Sequence, residues 1–131
     1  MKDLDLEEFQ NTVTNCLVRH KSIIDVLAKI DETSARVNRA ISKSVTSCGC
    51  IQINAKKQQI PADISLCELA SYMETHLDGK LCENCREVIE QEIGNHLFYI
   101  ATLCNLLDLS LKDILYEENE KLSTLGIYNL S

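Results

Sequence analysis

The chain has 131 residues, enough for one domain to bury a core without disulfides. Its 45% hydrophobic and 25% charged residues are ordinary for a folded globular chain and exclude a disordered or collagen-like one. The net charge of −7, from 20 acidic against 13 basic residues, argues against nucleic-acid binding, because Arg36, Arg39 and Lys56-Lys57 are the only basic groupings and none has interleaved aromatics.

With four Gly and one Pro, few positions force the backbone to break, which favours long helices over a turn-rich β fold. No apolar run approaches the roughly 20 residues needed to span a bilayer. The start, MKDLDLEEF, is acidic and lacks the basic-then-apolar order of a signal peptide. The expectation is a cytoplasmic, single-domain protein over residues 1–131, an all-α bundle of four to five helices.

Residues 4–30 read as a first helix, with Leu6, Phe9, Val13, Cys16, Leu17, Ile23, Ile24, Leu27 and Ile30 on its buried face. His20 falls on that stripe and reads as a core residue, since nothing adjacent would orient it for catalysis. Asp31-Glu32-Thr33-Ser34 can cap a second helix through about Thr46, packed through Ala35, Val37, Ala40, Ile41 and Val45. No Gly or Pro separates the two, so one long bent helix is the alternative. The alternation Ile51-Gln52-Ile53-Asn54 has no strong partner and does not support a sheet. Residues 55–61, AKKQQIP, read as a linker between two helical halves.

Asp63 or Ser65 can start a third helix, with Leu66, Leu69, Ala70, Met73 and Leu77 inward and Glu68 completing a capping box with Ser65; Asp78-Gly79 stops it. The longest helical pattern follows over Leu81–Leu107. Its stripe is Leu81, Cys85, Val88, Ile89, Ile93, Leu97, Ile100, Cys104 and Leu107. Asp108-Leu109-Ser110 breaks it, and Ser110 opens a last helix with Asp113 in the first turn.

Seven cysteines in a reducing compartment do not read as a disulfide framework. Cys16, Cys67 and Cys104 fall on or beside apolar stripes and read as small buried hydrophobes. The other four form two close pairs, Cys48-Gly49-Cys50 and Cys82-Glu-Asn-Cys85. Structural zinc takes four soft ligands in a tetrahedron, and two close pairs supply them. Gly49 lets the first pair turn tightly. The i, i+3 spacing of Cys82 and Cys85 sets both on one side of a helix's first turn, where free N–H groups favour thiolate. Zinc is favoured over an iron–sulfur cluster because Cys-x-Cys is less typical of cluster ligation. A redox dithiol at Cys82 and Cys85, and a zinc-thiol redox sensor, remain alternatives, although the βαβ setting of a thioredoxin-like motif is missing. Four unrelated thiols are the remaining reading.

Glu87, Glu90 and Glu92 crowd the long helix, and such runs are ordinarily solvated faces. Yet Glu92-Ile-Gly-Asn95, followed by Leu97-Phe98-Tyr99-Ile100, a Leu-Asp-Leu-Ser break and a last helix, resembles the MazG-like nucleoside triphosphate pyrophosphohydrolases over about residues 87–122. That all-α family carries E-E-[LI]-G-D-x-L-x-Y-L on its third helix. The resemblance implies a MazG-like bundle, a homodimer, a nucleotide ligand and magnesium held by acids from two helices. Here Asn95 replaces the Asp, and no Glu-x-x-Glu stands on an earlier helix, since Glu87-Val-Ile-Glu90 lies on the same one. Glu92 and Asn95 are therefore the catalytic candidates of a site in which only Glu68, Glu32 or His96 could supply further ligands. The whole chain, with its CGC and CENC pairs and STLGIYNLS end, is also similar to a group of small clostridial proteins, which implies no activity. The expected function is that of a zinc-binding MazG-like protein, altered or inactive in catalysis, acting through a nucleotide or protein partner. The alternative is a magnesium-dependent pyrophosphohydrolase.

Overall fold

In the computed structural model, which describes residues 4–16 and 22–125, the chain is mostly helical, with five α-helices among the described residues. Helix α1 spans Leu6–Cys16, α2 Ile23–Lys43, α3 Leu69–Tyr72, α4 Glu83–Leu106 and α5 Leu111–Leu125. Two three-residue strands, β1 (Ile51–Ile53) and β2 (Leu77–Gly79), pair antiparallel.

The long pair α2 and α4 forms the frame, the most extensive packing between elements. The positions of α2 withdrawn from solvent include Ile23, Val26, Ile30, Thr33, Val37 and Ala40, in a strict three–four alternation that Ser44 continues just past the helix end. On α4 the same alternation runs through Cys85, Ile89, Glu92, His96, Tyr99 and Leu103. This is the heptad spacing that keeps one seam of each helix against the other. Val26 is fully buried. Midway along the seam, Thr33 Oγ1 lies 2.8 Å from His96 Nδ1.

The expected stripe on the long helix is therefore corrected. Cys85, Ile89, Ile100 and Cys104 are withdrawn from solvent, but Val88, Ile93, Leu97 and Leu107 are exposed. A narrow seam facing one helix admits fewer positions than the broad apolar face anticipated.

The first helical boundary is also corrected. Helix α2 runs straight through Asp31-Glu32-Thr33-Ser34, so no cap forms there. Thr33 Oγ1 donates back to the Lys29 carbonyl at 2.8 Å, and Glu32 pairs with Lys29 and Arg36 on the same face. Side chains of a potential cap are thus spent inside the helix. The α2 N-cap is Ser22, whose Oγ accepts from Ile24 N–H. Leu17 and His20 lie outside the described residues.

A second cluster joins α1, α4 and α5 through Val13, Ala101, Cys104 and Leu111, with Phe9, Phe98 and Ile100 against it. Gln10 holds the α4–α5 turn: Nε2 donates to Asn105 Oδ1 and to the Leu109 carbonyl, and Oε1 accepts from Leu111 N–H. The expected break at Asp108–Ser110 is present, with Asp108 at φ 56° and Ser110 Oγ accepting from Asp113 N–H. Of the three cysteines expected in the core, only Cys104 is buried; Cys16 and Cys67 are exposed.

Between the two halves the chain departs most from expectation. The third helix shrinks to Leu69–Tyr72, while Leu66, Met73 and Leu77 are exposed. Leu77-Asp78-Gly79 is a strand, not a helix end, and it supplies the partner that Ile51–Ile53 lacked. The register pairs Ile51 with Gly79, Gln52 with Asp78 and Ile53 with Leu77. Residues 55–61 are thus the outgoing arm of an excursion that returns to its origin. Gln58 ties the arms together, accepting from Glu74 N–H and donating to the Glu74 carbonyl, both at 3.0 Å.

Candidate metal centre

The two-stranded ribbon explains how cysteines 34 residues apart in sequence come together. Cys48 and Cys50 sit immediately before β1, and Cys82 and Cys85 shortly after β2. Antiparallel pairing returns the chain from Gly79 to the level of Ile51, so both pairs emerge at one end of the ribbon.

Local structure aims the sulfurs. After α2, the chain widens into one π-helical turn, Ser44–Cys48, closed by Gly49 at φ 80° with its N–H on the Ser44 carbonyl at 2.8 Å. The same carbonyl accepts from Cys50 Sγ at 3.9 Å. Gly49 in the left-handed region lets the backbone reverse between the two thiols without the steric cost of a side chain. On the other side Cys82 is the N-cap of α4, its Sγ accepting from Cys85 N–H at 3.4 Å.

All four Sγ atoms lie within 4.8 Å of one another, and Cys48 Sγ is 3.8 Å from Cys82 Sγ. A tetrahedral ion with bonds of about 2.3 Å to sulfur sets its ligands about 3.8 Å apart. The four thiols are free, Cys48 exposed and the other three partly buried. This quartet could hold a metal ion. It is the only such group of three or more His, Cys, Asp or Glu side chains found among the described residues.

The thiols are not equivalent. The Cys85 backbone N–H, joined by neighbouring side chains, lowers the Cys82 thiol to about 7. A Ser44 hydrogen bond favours the Cys85 thiolate, but Cys82, partial burial and the other sulfurs outweigh it and push that thiol up to about 12. The Cys48 thiol is also raised: a backbone bond from Cys50 opposes the shift, and the Cys82 side chain drives it. One site thus offers a ready thiolate at a helix N-terminus, and an arriving cation must displace protons from its neighbours. A depressed thiol holds its charge above its own pKa and loses it as pH falls through that value. Metal affinity should therefore fall with pH already above 7, where the raised Cys48 and Cys85 thiols must lose protons, and more steeply below 7, where Cys82 is protonated as well. Competition with a chromophoric chelator across pH 5.5–8.5 measures this as a range about the group near 7; a flat profile would show that thiolates are not the ligands.

The acidic candidates are placed differently. Glu92 is partly buried on the α4 seam, and Asn95, one turn on, is exposed. None of the withdrawn α2 seam positions that pack opposite is acidic, and Glu92 belongs to no ion-sized group among the described residues. Glu68 is exposed next to α3, and Glu32 is engaged by Lys29, then Arg36, which hold its carboxyl below the usual range. His96 instead bonds Thr33.

Thr33, Gly79 and the capping role of Cys82 escaped sequence reasoning. The three–four alternation from Ile23 to Ser44 was the signal that placed Thr33 inward. No protein family, curated protein or solved structure matches the chain. No helix among the described residues is long and apolar enough to cross a membrane.

Proposed function

We propose that this chain is a zinc-binding helical protein whose four-thiolate centre is structural. On this reading a MazG-like helical scaffold, altered in its catalytic acids, acts by binding a nucleotide or protein partner without turning it over. The observation that carries the zinc reading is the single cluster of four sulfurs within 4.8 Å. Four soft protein ligands match zinc's preference and leave no open coordination position for a substrate or water. Such a centre fastens the end of α2 to the start of α4. The absence of a facing acid from the α2 seam supports a scaffold without magnesium chemistry at Glu92.

Native mass spectrometry of the chain purified without chelator is the test. One zinc per chain is the expected result, and metal-free protein of unchanged helicity would overturn it. In parallel, no pyrophosphate should be released from a panel of nucleoside triphosphates with magnesium. Release that disappears in Glu92→Gln would replace this reading with that of an active pyrophosphohydrolase.

A further inference from the structure

Four sulfurs around one ion leave the metal no open position, but each ligand sulfur keeps lone pairs of its own. A coordinated thiol is deprotonated outright, so on the zinc reading all four sulfurs are thiolates, the nucleophilic form of cysteine. Access then decides which of them can react.

One sulfur stands apart. Cys48 is exposed, whereas Cys50, Cys82 and Cys85 are partly buried. Cys48 also borders a cleft of about 220 Å³ between the end of α2 and the start of α4. Ala40 and Lys43, three apart on α2, form one wall; Asn84, Cys85 and Val88, three and four apart on α4, form the other. Cys50 and Cys82 do not line it. Cys48 and Cys85 both accept a hydrogen bond, the first from the Cys50 backbone and the second from the Ser44 side chain, so exposure is what separates them.

The size and lining of the cleft limit what fits. Pockets for drug-sized molecules run to about 300–1,000 Å³, so this one takes a smaller body of a few carbon atoms. Val88 is apolar yet 44% exposed, and Ala40 adds a methyl group, so the lining suits a carbon chain. Lys43 and Asn84 bring an ammonium and an amide, donors for a carbonyl oxygen that gains negative charge.

We propose that this cleft binds small α,β-unsaturated carbonyl compounds and that Cys48 Sγ adds to them. A sulfur lone pair forms the S–C bond to the β-carbon, and the C=C π pair moves toward the carbonyl oxygen. The resulting enolate takes a proton from water at its α-carbon. No leaving group, oxidant or reductant is needed. The product is a neutral thioether, a weaker zinc ligand than the thiolate it replaces, so the addition loosens the π-helical turn from α4. The centre then reports soft electrophiles, a role that rests on the zinc reading above.

Propenal added to the zinc-loaded full chain at neutral pH is the test, read by native mass spectrometry and peptide mapping. The first adduct should form on Cys48, about tenfold faster than on Cys16 or Cys67, which are exposed but belong to no metal-sized group. Zinc transfer to a chromophoric chelator should rise in step with the adduct. Val88→Phe fills the cleft from an already exposed position and keeps all four sulfurs. It should retain zinc yet slow the labelling of Cys48 about tenfold, because the carbonyl compound is no longer held beside the sulfur. A zinc-loaded chain labelled first at Cys16, Cys67 or another thiol overturns the proposal and leaves the zinc reading intact, whereas metal-free protein overturns both. Equal Cys48 rates in wild type and Val88→Phe overturn the role of the cleft. An adduct without faster zinc loss overturns the link to the metal.

Discussion

Chelation of the metal should lower the thermal midpoint of the chain by about 10 °C or more. The estimate comes from chain entropy: a cross-link closing a loop of this size, 34 residues between Cys48 and Cys82, stabilises by about 4 kcal/mol. At this length each kcal/mol moves the midpoint by about 3–5 °C. A metal held by the four thiols would contribute heavily, because little else holds that end of the molecule. Ile51 is the only buried apolar residue of the ribbon and its excursion, and Leu66, Met73 and Leu77 are exposed. Loss of amide protection on chelation should therefore concentrate at Ile51–Ile53, Leu77–Gly79 and the first turn of α4, as hydrogen exchange will show.

A matched substitution separates the metal from the helix cap. Cys82 is both a candidate ligand and the N-cap of α4. Serine is a good N-cap but a poor soft ligand, so Cys82→Ser removes the metal function and keeps the cap. Its midpoint should match that of chelated wild type and should not respond to chelator. Cys82→Ala should fall about 1 kcal/mol lower still, the usual worth of a cap. A wild-type midpoint indifferent to chelator would remove the structural role assigned to the four thiols.

Gly79→Ala should destabilise the chain by about 3 kcal/mol and weaken metal binding by about tenfold. Gly79 has φ 89°, and a Cβ there would stand 2.5 Å from the Cys50 carbonyl oxygen and 3.3 Å from Ile51 Cα. Both obstacles are backbone, so no side chain can rotate away. The ribbon must open, carrying Cys50 from its partners. Gly49→Ala is the control: φ is 80°, but no atom lies within 4 Å of the added Cβ. It should cost only the left-handed penalty, about 1–2 kcal/mol. Denaturant melts of the two variants, with zinc titrations, compare conformation with collision. Equal small losses would mean that Gly79 is not pressed against the first cysteine loop.

The cysteine pairs were legible because their information is local. Cys-x-Cys around a glycine and Cys-x-x-Cys at a helix start each orient two sulfurs over a few residues of backbone. The last break was legible for the same reason, through Ser110 as a cap. The boundary after Cys16 was not, because no Gly or Pro marks it, while Asp31–Ser34 displayed cap residues whose side chains the intact helix uses otherwise. The strand Leu77-Asp78-Gly79 imitated the end of a helix. Its three residues gain ladder bonds only from a partner 26 positions away at Ile51–Ile53, a pairing that no local pattern announces.

From residues alone came a chain dominated by helices and two pairs of soft ligands, both consequences of composition and short spacing; the turn at Glu92–Asn95 stood out only through a resemblance. Tertiary structure alone decided that the four sulfurs converge, because a ribbon register sets their distance. It also placed Glu92 on a seam packed against α2 positions that carry no acid, because a helix's sequence states its periodicity but not which neighbour its faces meet.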